Sequence, residues 1–594
     1  MRMYRLDFRL TASLVAALVL TVAVACGGDD PTPTTGPGDP TSTPDNGGSE
    51  PTATATPEQS DDLPAPGSPV GTVAISVARV AAHPGINSAN GGEGSVWWGA
   101  GESLFTTSEG PVFGEPWLAQ EWEIAEDLSK VTIQLQEGVQ FHGDWGEMTA
   151  EDVAWSINDA NAAINLDSIH AQAGDLAAVF GEWVAVDEYT VDAPFTTFDP
   201  RWQTTALSDG FQPTGIFSKR VFDEQGRDWM LENTIMTGPF SVQEWTDGGR
   251  AVLNAVDDHW RQTPQIDTII YDQIPDAAIR LARMRTGETD AAAIELKDIP
   301  GLLEEGFLLS GTGSGSELNI AFSGNLWETH HAVTGEELAR PGLNPERPWI
   351  GDPADEESME RARKVRWALA MGYDREELNE VLIAGQGWPH SIGYFNPEMP
   401  EYQDKWDVPY DPDAALDMLA EAGYEDGFEV EIFGQTDTLI RLETAEAVAG
   451  FWSRDLDLDV SVNAFEYRVF RPSIVDRSAE IPFMNSCDDG RYPRPWDWPV
   501  GLIISSLSRG GFSCALEAPT IAENFLASAS EPDLQERIRI TNETADYLHH
   551  QMLLPGTFTI PVILPYNPNA IAEWDMRPSL GGPISSPEMI VPAR

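Results

Sequence analysis

The sequence predicts an α/β protein of at least two lobes, carried behind an export segment and a tether. Three observations lead there. From "GTVAISVARV" (71–80) onward, short β-type runs alternate with amphipathic helices, the texture of an α/β or α+β architecture. Residues 70–594 exceed what one core usually supports, and a hydrophobic content of 41% supplies enough apolar side chains for two. A strand, helix and strand follow one another over 428–465, the order of a βαβ unit.

The N-terminal segment is read first. An apolar run of about fifteen residues (10–25) follows Arg2, Arg5 and Arg9; it is short for a bilayer span and suits the apolar core of a signal peptide. The run ends "AVAC", with small or apolar residues at the three positions before Cys26. That pattern resembles the lipobox of bacterial lipoproteins, which implies that residues 1–25 are removed and Cys26 is acylated. The alternative is an ordinary secretory peptide cut near Ala25, with Cys26 incidental. Residues 27–69 are mostly Pro, Thr, Ser, Gly and Asp with few large apolar side chains, so nothing there offsets the entropy of ordering a backbone. We therefore read 26–69 as an extended tether that anchors the body to a membrane through lipid only.

Within the body, "MTAEDVAWSINDA" (148–160) carries a helix start. Thr149 can cap, Asp152 follows three residues on, and Val153, Ile157 and Ala160 share one face. In "YDPDAALDMLAEAGYEDGFEVEIFG" (410–434), Asp411 can cap and Pro412 suits the first turn. Ala415, Met418, Leu419 and Ala422 form the apolar stripe, and Gly423 ends the helix. A strand over 428–433, a helix near 444–452 and a strand over 459–465 complete the βαβ reading.

Composition excludes some functions. The net charge of −61 argues against nucleic acid and against direct docking on anionic lipid. The acids are spread throughout, as on a solvated acidic surface rather than an acidic tail. With Cys26 given to lipid, Cys487 and Cys514 remain. They either form a disulfide, as an oxidising compartment allows, or stay as two buried thiols.

No catalytic constellation emerges. "GFSCA" (511–515) lacks the closing glycine of a nucleophile elbow, and neither a phosphate-binding G-x-x-x-x-G-K-[ST] nor an H-E-x-x-H occurs. His330–His331 and His549–His550 are adjacent pairs, whose side chains diverge on a helix or strand and rarely share a metal. The sequence therefore assigns no catalytic residue, metal or cofactor. Binding is better supported, because a subset of the 20 tryptophans can form flat walls for a ligand. Trp122, His259 and Trp260 read as structural instead.

Four blocks carry a family resemblance. They are "PWLAQEWEIAEDLSKVTIQLQEGVQFHGDWGEMTAEDVAWSI" (116–157), the stretch 237–294 with its "TGPF", "HW" and "GETD", "VRWALAMGYDREELNEVLIAGQG" (365–387) and "YDPDAALDMLAEAGYEDGFEV" (410–430). In this order they resemble the family 5 extracellular solute-binding proteins, the peptide/nickel-type receptors of ABC importers. The resemblance implies a two-lobed periplasmic-binding-protein-like fold of type II, with an extra subdomain inserted in lobe I. Lobe I would comprise 70–113, 236–312 and 561–594, the subdomain 114–235, and lobe II 313–560. The chain would cross between lobes at "SELNIAFSG" (316–324) and "PGTFTIPVILPYN" (555–567). The connection 323–358 is longer than the family's usual one and could cover part of the cleft.

The implied function is capture of a small-molecule ligand between lobes and delivery to ABC permease and ATPase subunits, by a monomer outside the cytoplasm. A lipid-anchored enzyme or scaffold of the same fold is the alternative. The ligand could be a peptide, an oligosaccharide or a metal chelate. The irregular stretch "SCDDGRYPRPWDWPVG" (486–501) concentrates charge and aromatics. In the family the corresponding part of lobe II supplies an acid for a peptide's amino group, a position matched by Asp488 or Asp489. Arg491 or Arg494 would meet a peptide carboxylate, and Trp496 and Trp498 would stack on a sugar. Asn319, in the first crossing, is a further candidate contact.

Overall fold

The computed structural model describes residues 71–593 except 81–84, 90–97, 107–114, 171, 199–201, 204–206, 210–212, 247, 396, 398–401, 437–439, 486–503, 509–513, 530, 532 and 577–585. Its main feature is one mixed sheet. From one edge to the other the strands run Asp459–Phe465, Glu429–Gln435, Phe483–Asn485, Leu308–Ala321, Gly556–Tyr566, Ala291–Ala292, Thr72–Val77, Thr268–Gln273, Arg250–Ala255 and Phe240–Trp245. Trp388–Pro389 joins on the flank of Gly556–Tyr566. A separate antiparallel sheet orders Ala119–Ile124, Lys130–Leu135, Thr190–Pro194 and Val184–Ala185.

Local sequence explains the elements. The expected βαβ unit forms: Glu429–Gln435 and Asp459–Phe465 pair in parallel, joined by the helix Arg441–Asp455. Its buried Ala445, Val448 and Trp452 recur at helical spacing and face the core. Asp411 caps the helix Pro412–Glu421 by accepting from Ala414 N at 3.0 Å, while Ala415 and Leu419 are buried. The helix Ala150–Ala160 starts where Thr149 and Asp152 suggest. The acid rather than the hydroxyl is the acceptor, because Asp152 Oδ2 takes both Thr149 N (2.9 Å) and Thr149 Oγ1 (2.8 Å). Asp152 Oδ1 also takes Lys219 N at 2.7 Å, so the cap ties this helix to the start of a later one, Lys219–Gln225.

Apolar burial is partitioned. One core gathers residues from 318 to 558, among them Trp349, Trp406 and Trp452. A second gathers residues from 104 to 216 around Phe105, Trp183 and Trp202. A third joins residues 73–100 and 240–291 to 564–590. Trp122 packs edge-on against Phe105 and Trp202 in the second, a structural use. No described helix is long and apolar enough to cross a membrane.

Candidate ligand site and the strand crossover

The first and third cores are connected in the main sheet by two long antiparallel strands, Leu308–Ala321 and Gly556–Tyr566. Their pairing is regular from Leu308↔Tyr566 to Thr312↔Val562 and then jumps to Gly315↔Pro561, leaving residues 313 and 314 without counterparts. Sequence dictates the irregularity. Gly311 has φ +149°, and a Cβ there would lie 2.2 Å from the Val562 carbonyl oxygen, so only glycine fits. Pro561 offers no N–H to the ladder at the same level. The bulged stretch carries glycines at 311, 313 and 315, the residue type that leaves a backbone its widest conformational freedom.

A buried polar node follows immediately. Glu317 is buried, its Oε2 accepting from Tyr394 N at 2.6 Å and standing 3.8 Å from His390 Nε2. His390 Nε2 lies 2.9 Å from Asn319 Oδ1, which can only accept, so this nitrogen carries hydrogen. Thr559 Oγ1 is 3.4 Å from His390 Nδ1. Arg375 Nε donates to the carbonyls of His390 (3.1 Å) and Gly556 (3.0 Å), and Tyr373 OH donates to Gly556 O at 2.8 Å. Burial pushes the Glu317 carboxyl up to about 7 against the lowering effect of its hydrogen bonds. Burial, with the nearby Arg375 charge, holds His390 down to about 3. The node thus binds the residues just after the bulge to the 388–395 segment and to the helix Arg375–Ile383.

Asn319, a candidate ligand contact, sits inside this node, fully buried with its carbonyl given to His390. It also pairs through its backbone with Asn485, the last residue of the strand Phe483–Asn485. Asp488, Asp489, Arg491, Arg494, Trp496 and Trp498 lie outside the described residues, as do Cys26 and Cys487. Cys514 is buried and disulfide-bonded.

Residues 114–497 match the sequence profile described as bacterial extracellular solute-binding proteins, family 5 Middle. The chain belongs to this family. Among curated relatives of this solute-binding protein, the dipeptide-binding protein of Escherichia coli (strain K12) is 27% identical over 54% of this chain and 56% of its own length. The glutathione-binding protein GsiB of Salmonella paratyphi A is 24% identical over 73% of this chain and 78% of its own. The solved structure of the ABC transporter substrate binding protein CtaP from Listeria monocytogenes superposes with a TM-score of 0.68 at 16% identity. It covers 88% of this chain and 99% of the other, a likeness of fold.

In the solute-binding protein, the "HW" pair has the structural role expected. Buried Glu102 gathers Arg261 Nε (2.7 Å) and Trp117 Nε1 (3.1 Å) on Oε1, and Trp260 Nε1 (2.9 Å) on Oε2. Burial alone would raise its carboxyl, but the His259 hydrogen bond and the Arg261 charge outweigh it and hold the group down to about 2. Arg261 also stacks over Trp117 at 3.8 Å and reaches Glu588 at 3.2 Å, joining three distant stretches. Sequence reasoning passed over Glu102, Glu317 and His390. The one available signal was a lone acid inside an otherwise apolar run, as in "SELNIAF". His331 Nδ1 accepts from Val333 N and Thr334 N, both at 3.1 Å, and His549 packs edge-on to Trp367.

Proposed function

We propose that the protein is the extracytoplasmic binding component of an ABC importer, held at the membrane through an acylated Cys26, and that its ligand is a short peptide. Family membership over 114–497 is the observation that carries the reading. The peptide class is supported by relatives named for dipeptide and glutathione binding. The importer is supported by a fold neighbour titled an ABC transporter substrate binding protein.

Capture proceeds by lobe closure in this reading, with lobe I built from 70–113, 236–312 and 561–594 and lobe II from 313–560. Separate cores on either side of two shared strands, with the bulge between Thr312 and Gly315, support it. Closure follows only if the ligand contacts the closed form better than the open one. A zwitterionic peptide entering a dry cleft needs both charges compensated. Asp488 or Asp489 would receive its amino group and Arg491 or Arg494 its carboxylate.

Calorimetry with a panel of di- and tripeptides, glutathione and oligosaccharides tests the reading. Saturable one-to-one peptide binding without product is expected, with a melting temperature that rises with the logarithm of peptide concentration. Turnover of the peptide, or binding of oligosaccharides alone, would overturn it.

A further inference from the structure

The register of the two long strands breaks a second time, and here side chains close the break. Glu317 pairs with Thr559 but Asn319 pairs with Gly556, so Leu318 stands against two residues of the return strand, Thr557 and Phe558. Thr557 Oγ1 donates to the Leu318 carbonyl at 2.8 Å and supplies a bond that the shifted ladder lacks. On the other flank of the return strand the 388–395 segment seals the same place. His390 N donates to Thr557 O (3.2 Å), Gly556 N to Ser391 O (3.0 Å) and Gly393 N to Leu554 O (2.9 Å). Packing is so close that a Cβ on Gly556 would stand 2.1 Å from His390 Cδ2. Glycine at 556 therefore lets the imidazole reach across the return strand to Asn319.

Glu317 fastens the same place from the first strand, because its Oε2 accepts from Tyr394 N in the 388–395 segment. Compensating charge is scarce there. Among the described residues, the basic side chain within 4 Å of this carboxyl is His390, at 3.8 Å, and burial holds its imidazole neutral. Arg375, the next cation, gives its nitrogens to the carbonyls of His390, Gly556, Ala370 and Val408 and to Tyr373 OH. The Tyr373 hydroxyl in turn donates to Gly556 O. An ionised Glu317 is thus a buried charge with hydrogen bonds but no cation against it, a state far costlier than the neutral acid. Burial accordingly pushes this carboxyl up to about 7.

We propose that Glu317 is a proton-operated clamp on the strand crossover: while it keeps its proton the two long strands are fastened to the 388–395 segment, and when the proton leaves, that fastening loosens and admits water to the carboxylate. The two strands connect the first and third cores, so the clamp sets how firmly those cores are joined, with or without a ligand. Its direction follows from linkage. An acid whose folded form holds its proton more tightly than the unfolded chain does contributes stability in acid and loses it as pH rises. The junction is therefore firm at mildly acid pH and loose above neutrality.

Hydrogen exchange on the full chain tests it, at about pH 5 and about pH 8, with rates corrected for the intrinsic pH dependence of amide exchange. Wild type is compared with Glu317→Gln, which keeps an acceptor for Tyr394 N and carries no charge, and with Glu517→Gln, which removes the other buried acid of similar proton affinity. In wild type, corrected exchange over 317–322, 388–395 and 553–560 should be roughly tenfold or more faster at the higher pH, while 150–160 and 441–455 change little. Glu317→Gln should abolish the acceleration and Glu517→Gln should retain it. The clamp is refuted by equal protection of the junction at both pH values in wild type, by acceleration spread evenly over the chain, by acceleration that persists in Glu317→Gln, or by its loss in Glu517→Gln. Should Glu317→Gln fold poorly, the regional contrast in wild type and its survival in Glu517→Gln still decide the matter.

Discussion

Glu317 Oε2 and His390 Nε2 stand 3.8 Å apart, both side chains withdrawn from solvent, at the point where the crossover strands leave their bulge. The two groups pull stability in opposite directions with pH. Glu317, raised from 4.5 to about 7, contributes stability that is complete below pH 4.5 and is lost as pH climbs through 7. His390, lowered from 6.5 to about 3, contributes stability that is complete above pH 6.5 and is lost as pH falls toward 3. Glu317→Gln should therefore remove about 3 kcal/mol of the stability lost by wild type between pH 4.5 and about 8, because each tenfold change in proton affinity is worth about 1.4 kcal/mol. Urea unfolding across that range reads it, with Glu517→Gln alongside because Glu517 titrates in the same window. Parallel pH profiles for Glu317→Gln and wild type would refute the assignment.

Gly311, paired in register just before the bulge, makes a separate demand. Gly311→Ala places a methyl group 2.2 Å from the Val562 carbonyl, so the strands must part or shift, at a cost of about 2 kcal/mol or more. The urea midpoint measures it, and a variant as stable as wild type would show that the pairing there is already open.

The full chain's net charge of −61 makes it repel itself. Raising sodium chloride from about 0.1 M to 1 M shortens the screening length from about 10 Å to about 3 Å, and the melting temperature should rise by several degrees. A flat or falling melting curve would mean that surface ion pairs, such as Arg285 with Glu305, contribute more than repulsion costs.

Cys26→Ser should release the exported protein from membranes while leaving its melting temperature unchanged, because 26–69 carries too few apolar side chains to join a core. Fractionation of cells checks this; a variant still pelleting with membranes would remove the lipid anchor.

For the ligand stretch, Asp488→Asn with Asp489→Asn should cost peptide binding roughly 2 to 5 kcal/mol, as unpairing a buried charge does. Trp496→Ala with Trp498→Ala should matter more only for a sugar. Calorimetry separates the pairs. Full affinity in both would place the site elsewhere.

What could be read in advance was what short range decides. Asp411 with Pro412, and Thr149 with Asp152, announce helix starts because capping involves only the first turn. The βαβ unit at 429–465 is likewise a run of neighbours in the chain. The crossover was expected at 316–324; one register shift falls inside it, between Glu317 and Asn319, and another a few residues earlier, among glycines whose role depends on a strand far away in the chain, Gly556–Tyr566. Glu317 and His390 meet only in three dimensions, as do Glu102, Arg261 and Glu588. Apart from the apolar run around Glu317, nothing in their immediate neighbours distinguishes them from other acids and histidines, and contacts of that range leave no periodic trace.

The short strand Ala291–Ala292 touches both Thr72–Val77 and Gly556–Tyr566, so the beginning of the folded body waits for its end. A chain emerging N-terminus first presents its opening strand long before the return strand exists. The core around Val73 and Ile75 stays incomplete until Leu564 and Ile590 arrive. Loss of even a short C-terminal piece would therefore be a defect felt at residue 73, in the packing of Val73 and Ile75.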